Sequence, residues 1–200
     1  MLRIGTERLE LIAATPDLAR REAATVNDWH TPLDVLSPAS WPPPGNDRSS
    51  QAWLAGRIVG DADRPGWWLW YVVRRSRGHE MPRELIGNAG FKGVPDGRGS
   101  VELGYALLPE WQGQGYGTEL AGRLVAWAFS HDHVERIMAE TYPEFVGSVR
   151  VLEKHGFQLT CRGASSHTIR FELRRSVFEK RKGGEPITSR DSRACQSAGS

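Results

Sequence analysis

Leucine and glutamate alternate along Arg8 to Ala13, with Leu9 and Leu11 on one side and Glu10 on the other, and this period of two predicts a first strand. Thr15-Pro16-Asp17 follows. Proline is tolerated in the first helical turn, where its missing N–H has no partner to lose, so a helix is predicted from Asp17 towards Val26. The run Trp41-Pro42-Pro43-Pro44-Gly45 fits neither a regular helix nor a central strand, and Ser50 to Val59 reads as helix again. Aromatic and β-branched content makes Trp67 to Val73 a buried strand. Leu85 to Phe91 is its partner, reached through a polar turn at Arg77-Gly78-His79-Glu80 and left through another at Pro95-Asp96-Gly97. Val101 to Leu108 is a fourth strand.

Glycines then open a helix from about Tyr116 to Phe129, whose Leu120, Leu124 and Trp127 share one face at helical spacing. Arg136 to Thr141 is a strand, and Val146 to His155 a helix that stops at Gly156, a residue suited to the left-handed position after a helix. Phe157 to Leu159 and Thr168 to Leu173 close the sheet. Antiparallel-looking strands come first, then strand–helix–strand–helix–strand. That order predicts an α/β (α+β) fold: a single mixed, mostly antiparallel sheet of about 6–7 strands flanked by helices. One domain is expected over residues 1–180. Residues 181–200 are small and polar without periodicity, and are expected to form a disordered tail.

Composition narrows the function. A formal net charge of +2 over 200 residues lacks the concentrated basic face of a nucleic-acid binder, so no nucleic-acid partner is expected. No apolar run reaches the ~18 residues of a membrane span, and no membrane partner is expected. Two cysteines, Cys161 and Cys195, make neither a disulfide framework nor a zinc pattern. With no signal peptide at the start, the expected location is cytoplasmic. His131-Asp132-His133 cannot share a helix face and lacks further ligands, so no metal is expected. Arg174-Arg175 and Lys180-Arg181-Lys182 read as a solvated end. The eight tryptophans fall mainly between Trp29 and Trp70 and read as packing, with Trp29 and Trp41 able to line a pocket.

The segment from Val101 to Leu120 carries the chemistry. A strand running into glycines that open a helix gathers unpaired N–H groups and the positive end of the helix dipole at one place, which suits a di- or polyphosphate. A P-loop needs Lys-Ser or Lys-Thr after its last glycine, whereas Gly117 is followed by Thr118-Glu119. A dinucleotide fingerprint needs G-x-G-x-x-G, whereas Gly113, Gly115 and Gly117 give G-x-G-x-G. A plain glycine turn is the remaining structural alternative.

Gln112-Gly113-Gln114-Gly115-Tyr116-Gly117 resembles the cofactor loop of the GNAT superfamily of N-acetyltransferases, which reads Gln/Arg-x-x-Gly-x-Gly/Ala. Glu102-Leu103-Gly104-Tyr105-Ala106-Leu107 is similar to that family's fourth strand, and Ser148 to Phe157 to its second hallmark helix and turn. Thr6-Glu7-Arg8-Leu9 resembles the opening of the branch that includes ribosomal-protein N-terminal acetyltransferases. The resemblance spans roughly residues 6–175, with the motifs in the family's order. It implies a sheet splayed between the fourth and fifth strands, with acetyl-CoA as co-substrate entering the gap. The pantetheine amides would pair with Leu107 and Leu108. The pyrophosphate would sit on the N–H groups of Gln112, Gly113, Gln114, Gly115, Tyr116 and Gly117, near the Thr118 hydroxyl.

The same resemblance implies transfer of acetyl to a primary amine by direct attack in a ternary complex. An α-amino group has a pKa near 8 and an alkyl amine about 10, so a base must take a proton first. Glu102 is the candidate, since alternation places it on the face of Gly104 and Ala106; an exposed glutamate in a cross-strand ion pair is the alternative. Ser148 is the candidate donor to the departing thiolate, or a cap of its helix. Phe145 stands where the family often has asparagine, which keeps open a CoA-binding sensor or interaction module with weak catalysis. The acceptor, a small-molecule amine or a protein N-terminus, is set by loops from roughly Asp28 to Pro65, and an exposed sheet edge leaves room for a homodimer.

Overall fold

The computed structural model describes residues 1–26, 28–76, 82–162, 165 and 167–183. The turn expected at Arg77 to Glu80, and most of the expected tail, lie outside the described residues. The strands are β1 (Arg3–Gly5), β2 (Leu9–Ala13), β3 (Leu69–Arg74), β4 (Glu84–Phe91), β5 (Ser100–Leu107), β6 (Arg136–Thr141), β7 (Gln158–Arg162) and β8 (Ile169–Arg174). The helices are α1 (Pro16–Ala23), α2 (Arg48–Gly60), α3 (Tyr116–Phe129), α4 (Val146–Lys154) and α5 (Arg175–Lys182). One sheet of eight strands runs in the order β1-β2-β3-β4-β5-β6-β8-β7, mostly antiparallel, with helices flanking it. The strand beyond the expected number is β1, three residues that pair with β2 through Ile4 and Leu11. It is too short to show a period. Among the described residues no helix is long and apolar enough to cross a membrane.

The chain divides into two compact units, Met1–Val94 with Leu103–Leu124, and Pro95–Glu102 with Val125–Ser200. In the first, α1 begins where Thr15 accepts a hydrogen bond from the Leu18 N–H at 3.3 Å, with Pro16 in the first turn. Asp47 caps α2 in the same way, taking the Ser50 N–H at 2.8 Å. Leu18 and Ala19 of α1 and Ala55 and Ile58 of α2 pack with Trp29, Leu33 and Val35 onto Ile12, Leu69, Tyr71 and Val73 of the sheet. Trp29 and Trp41 belong to this packing, with ring centroids 5.2 and 6.3 Å from that of Tyr71.

One carboxylate lies inside that core. Glu22 of α1, 7 % exposed, accepts from the Tyr71 hydroxyl at 2.8 Å, the Trp41 indole at 3.0 Å and the Gln51 amide at 3.4 Å. Burial raises its pKa above the ordinary glutamate value, and the two shorter hydrogen bonds oppose that shift. The bonds join α1, α2, β3 and the proline-rich segment at one atom pair.

In the second unit β6 pairs with β8 and β8 with β7, Ala139 lying opposite Phe171 and Phe171 opposite Leu159. Arg175, expected at a solvated end, instead donates to the carbonyls of Val134 (2.8 Å), Phe129 (3.0 Å) and His131 (2.6 Å). It thereby closes the C-terminus of α3, where cationic donors meet unpaired carbonyls. The chain continues as α5 through Lys182.

Tyr71→Phe removes one of the donors of a buried carboxylate. It is expected to cost about 1–3 kcal/mol, read as a melting temperature lower by about 2–4 °C per kcal/mol. Because the folded pKa of Glu22 lies above its unfolded value, the folded state binds the proton more tightly. Stability from this group is complete below pH 4.5 and is lost as pH rises through the folded pKa. Unfolding curves across that window should therefore fall with pH in wild type and lose this component in Glu22→Gln.

Candidate active site

In the first unit the sheet carries one row of directly opposed residues, Ile12–Tyr71–Asn88–Ala106, across β2, β3, β4 and β5. Opposed residues point to one face, and Ile12 and Tyr71 of this row lie in the core that α1 and α2 pack against. Asn88 is nearly buried, Ala106 is half-buried, and Gly104, which opposes Gly90, is exposed. The Asn46 amide donates to Asn88 Oδ1 at 3.4 Å and so sets the proline-rich segment beside this floor. Ser40 donates to the Glu110 carboxylate from the same segment.

Leu108 gives its N–H to the Ile86 carbonyl at 2.9 Å, while the Leu107 carbonyl accepts the Gln112 side-chain amide at 3.0 Å. Backbone groups of neighbouring strand residues point to opposite sides, so those of Leu107 face away from β4. Of the two leucines, Leu108 therefore has its donor engaged in the sheet. A short helical turn, Pro109–Trp111, leads into an exposed turn over Gln112, Gly113, Gln114 and Gly115.

Gly113 has φ +73° and Gly115 +82°, conformations that L side chains rarely adopt. A Cβ on Gly113 would meet nothing within 4 Å, so the turn is open on that side. The N–H groups of Gly113, Gln114 and Gly115 meet no backbone carbonyl among the described residues, and α3 opens at Tyr116 with the Glu119 N–H bonding to the Gly115 carbonyl at 3.1 Å. First-turn N–H groups have no acceptor four residues back, so those of Tyr116 and Gly117 add to the donors of the turn. The segment carries no lysine or arginine of its own. Open space, accessible donors and the helix dipole suit a diphosphate.

Positive charge arrives from the N-terminal segment. Arg8 donates through Nη1 to the Gln114 carbonyl at 3.1 Å, and its guanidinium lies 4.3 Å over the Tyr116 ring. Its Nε and backbone N–H bind Glu119, in the first turn of α3, at 2.7 and 2.8 Å, and the Thr6 hydroxyl donates to the same carboxylate. Burial alone would raise the Glu119 pKa, but the Thr6 and Arg8 hydrogen bonds outweigh it and hold the carboxyl below the usual range. In the sequence, Thr6-Glu7-Arg8-Leu9 carried only a branch resemblance. A pairing across 111 positions has no local signal from which it could be read.

Glu102 and Ser148 belong to the second unit. Glu102 is half-buried on β5, between buried Val101 and Leu103, so it takes the face that alternation assigned to it. Ser148 is half-buried and third in α4. The cap position falls at Phe145, with no side-chain hydrogen bond, and Ser148 gives its own N–H to the Phe145 carbonyl at 2.9 Å. Capping is therefore not the role of the Ser148 side chain. Phe145 is 56 % exposed and meets exposed Tyr142 edge-on at 5.2 Å.

Comparison with known proteins joins these observations. The family model described as an acetyltransferase (GNAT) domain matches residues 8–158. The chain belongs to this acetyltransferase family. It is 31 % identical over 169 residues to YjdG of Bacillus subtilis (strain 168), an uncharacterized N-acetyltransferase, covering 82 % of this chain and 94 % of that protein. Among solved structures, RimL, a ribosomal L7/L12 α-N-protein acetyltransferase in complex with coenzyme A, superposes with a TM-score of 0.62 at 17 % identity, over 88 % of this chain and 99 % of that one. The spermidine/spermine N-acetyltransferase SpeG of Vibrio cholerae gives 0.59 at 17 % identity, over 88 % and 99 %. At such identities the structures share the fold.

Gly113→Ala and Gly115→Ala each force a side chain into left-handed backbone, at about 1–2 kcal/mol, and denaturant unfolding should show a similar loss for both if strain dominates. Glu119→Gln tests the clamp. Its carboxyl has a lowered folded pKa, so its stabilisation is present above pH 4.5 and lost as pH falls through the folded value. Wild type should exceed the variant in stability at pH 7, and the two should converge in acid.

Proposed function

We propose that the protein transfers the acetyl group of acetyl-CoA to a primary amine by direct attack in a ternary complex. The exposed glycine turn at the start of α3, in which the N–H groups of Gly113, Gln114 and Gly115 meet no backbone carbonyl among the described residues, is the observation that carries this reading. Acetyl-CoA supplies an activated acyl carbonyl on a thiol that leaves readily. The Gln112–Gly117 backbone, with the Thr118 hydroxyl beside it, grips the diphosphate. Leu107, whose backbone faces away from β4, aligns the pantetheine arm, and Leu108 anchors the end of the strand.

Glu102 takes a proton from the acceptor ammonium, directly or through a water, so that a neutral amine attacks. As nitrogen bonds to the acyl carbon, the carbon–sulfur bond breaks; the Ser148 hydroxyl hydrogen-bonds the departing sulfur, which takes up the proton that nitrogen loses and leaves as the thiol of CoA. The small side chains at Gly104 and Ala106 leave space on the face of β5 that Glu102 shares. Acceptors of two kinds fit this chemistry, a small polyamine-like amine and a protein N-terminus. The fold neighbours SpeG and RimL are named for one of each.

Saturating acetyl-CoA should raise the melting temperature, since ligand at ~100 times its Kd adds about 2.7 kcal/mol, or roughly 5–10 °C for a chain of this size. ATP and NAD should leave it unchanged, and a shift with either of them instead would overturn the reading. Glu102→Gln should lower kcat by about 10²–10⁴-fold while leaving the acetyl-CoA shift intact. Unchanged turnover in that variant would remove Glu102 as the base.

A further inference from the structure

We propose that Arg8 is a positioning residue for the cofactor turn, holding the backbone of Gln112 to Gly115 in its anion-receiving conformation through Gln114 and Glu119. The inference rests on the reading of that turn as the acetyl-CoA diphosphate site.

A turn with two left-handed glycines, in which the N–H groups of Gly113, Gln114 and Gly115 meet no backbone carbonyl among the described residues, has many conformations open to it, and ordering it costs entropy on binding. Two local side chains steady it, Gln112 through the Leu107 carbonyl and Gln114 through the Glu110 carbonyl. Both belong to the same segment and move with it. Among the described residues, Arg8 is the one side chain from outside the segment that bonds the backbone of Gln112 to Gly115. It is itself fixed at three points: Nε on Glu119, Nη1 on the Gln114 carbonyl, and the guanidinium face on Tyr116. Its Nη2 lies 3.4 Å from where a Cβ of Gly115 would stand, so the guanidinium flanks the turn on its side-chain side.

Charge makes a second, independent argument. Glu119 stands in the first turn of α3, where its carboxylate would repel an incoming diphosphate. The Arg8 guanidinium and the Thr6 hydroxyl occupy that carboxylate and leave the helix N-terminus to the ligand. Both tasks need a planar fork, because one cation must reach a carboxylate and a carbonyl in different directions. Lysine carries the charge without the fork.

The test measures acetyl-CoA binding by calorimetry and steady-state kinetics with the full chain. Arg8→Ala should raise both Kd and KM for acetyl-CoA by about tenfold or more, with kcat at saturating acetyl-CoA within about threefold of wild type. Arg8→Lys should fall between the two, and adding Glu119→Gln to Arg8→Ala should recover part of the affinity by removing the bare charge. Wild-type binding matched by Arg8→Ala overturns the proposal alone, as does a loss confined to kcat. Absence of acetyl-CoA binding in wild type overturns the reading of the turn and this proposal with it. If Arg8→Ala fails to fold, Arg8→Lys decides: weaker binding at unchanged kcat supports the proposal, and wild-type affinity overturns it.

Discussion

Backbone donors that are to meet an anion must stay unpaired, yet unpaired backbone is the least ordered part of a chain. The turn from Gln112 to Gly115 meets both demands by being held through its carbonyls and side chains. Gln112 reaches back to the Leu107 carbonyl, Gln114 to that of Glu110, and Arg8 comes from another part of the sequence to the carbonyl of Gln114. The N–H groups of Gly113, Gln114 and Gly115 are left without a backbone acceptor among the described residues. The positions of β2, of the β5 end and of the first turn of α3 all follow from satisfying these bonds together.

A similar constraint holds in the helix-packed core of the first unit. Glu22 costs free energy to bury, and only a full set of donors makes its place in the core tolerable. Those donors come from β3, α2 and the proline-rich segment, so the carboxylate orders a stretch that has no regular structure of its own. With Trp41 tied to Glu22, Ser40 to Glu110 and Asn46 to Asn88, that stretch borders the open floor at Gly104 and Ala106. Residues 28–65, where acceptor choice was expected to reside, thus include contacts to both the core and the turn before the glycines.

Much of the architecture was legible. α3 and β6 lie at the bounds read from the sequence, α3 with Leu120, Leu124 and Trp127 buried and β6 with alternate residues buried. β1 escaped because its stability comes from pairing with β2 rather than from its own pattern. α5 escaped because Arg175 looks like any surface arginine until the carbonyls of Phe129, His131 and Val134 are seen around it. For Ser148, a serine near a helix start suggested a cap, but caps depend on backbone angles one turn earlier, which put the boundary at Phe145.

The sequence by itself determined the order of elements from β2 to β8, the family and the glycine turn, because each is written in neighbouring residues whose spacing has a direct steric or electrostatic meaning. Only the tertiary structure decided which distant residues complete the turn and the core. Arg8 with Glu119, Glu22 with Tyr71, and the row Tyr71–Asn88–Ala106 arise from strand register and helix packing. The chain folds those pairings into place through long-range hydrophobic burial, whose partners no local pattern records.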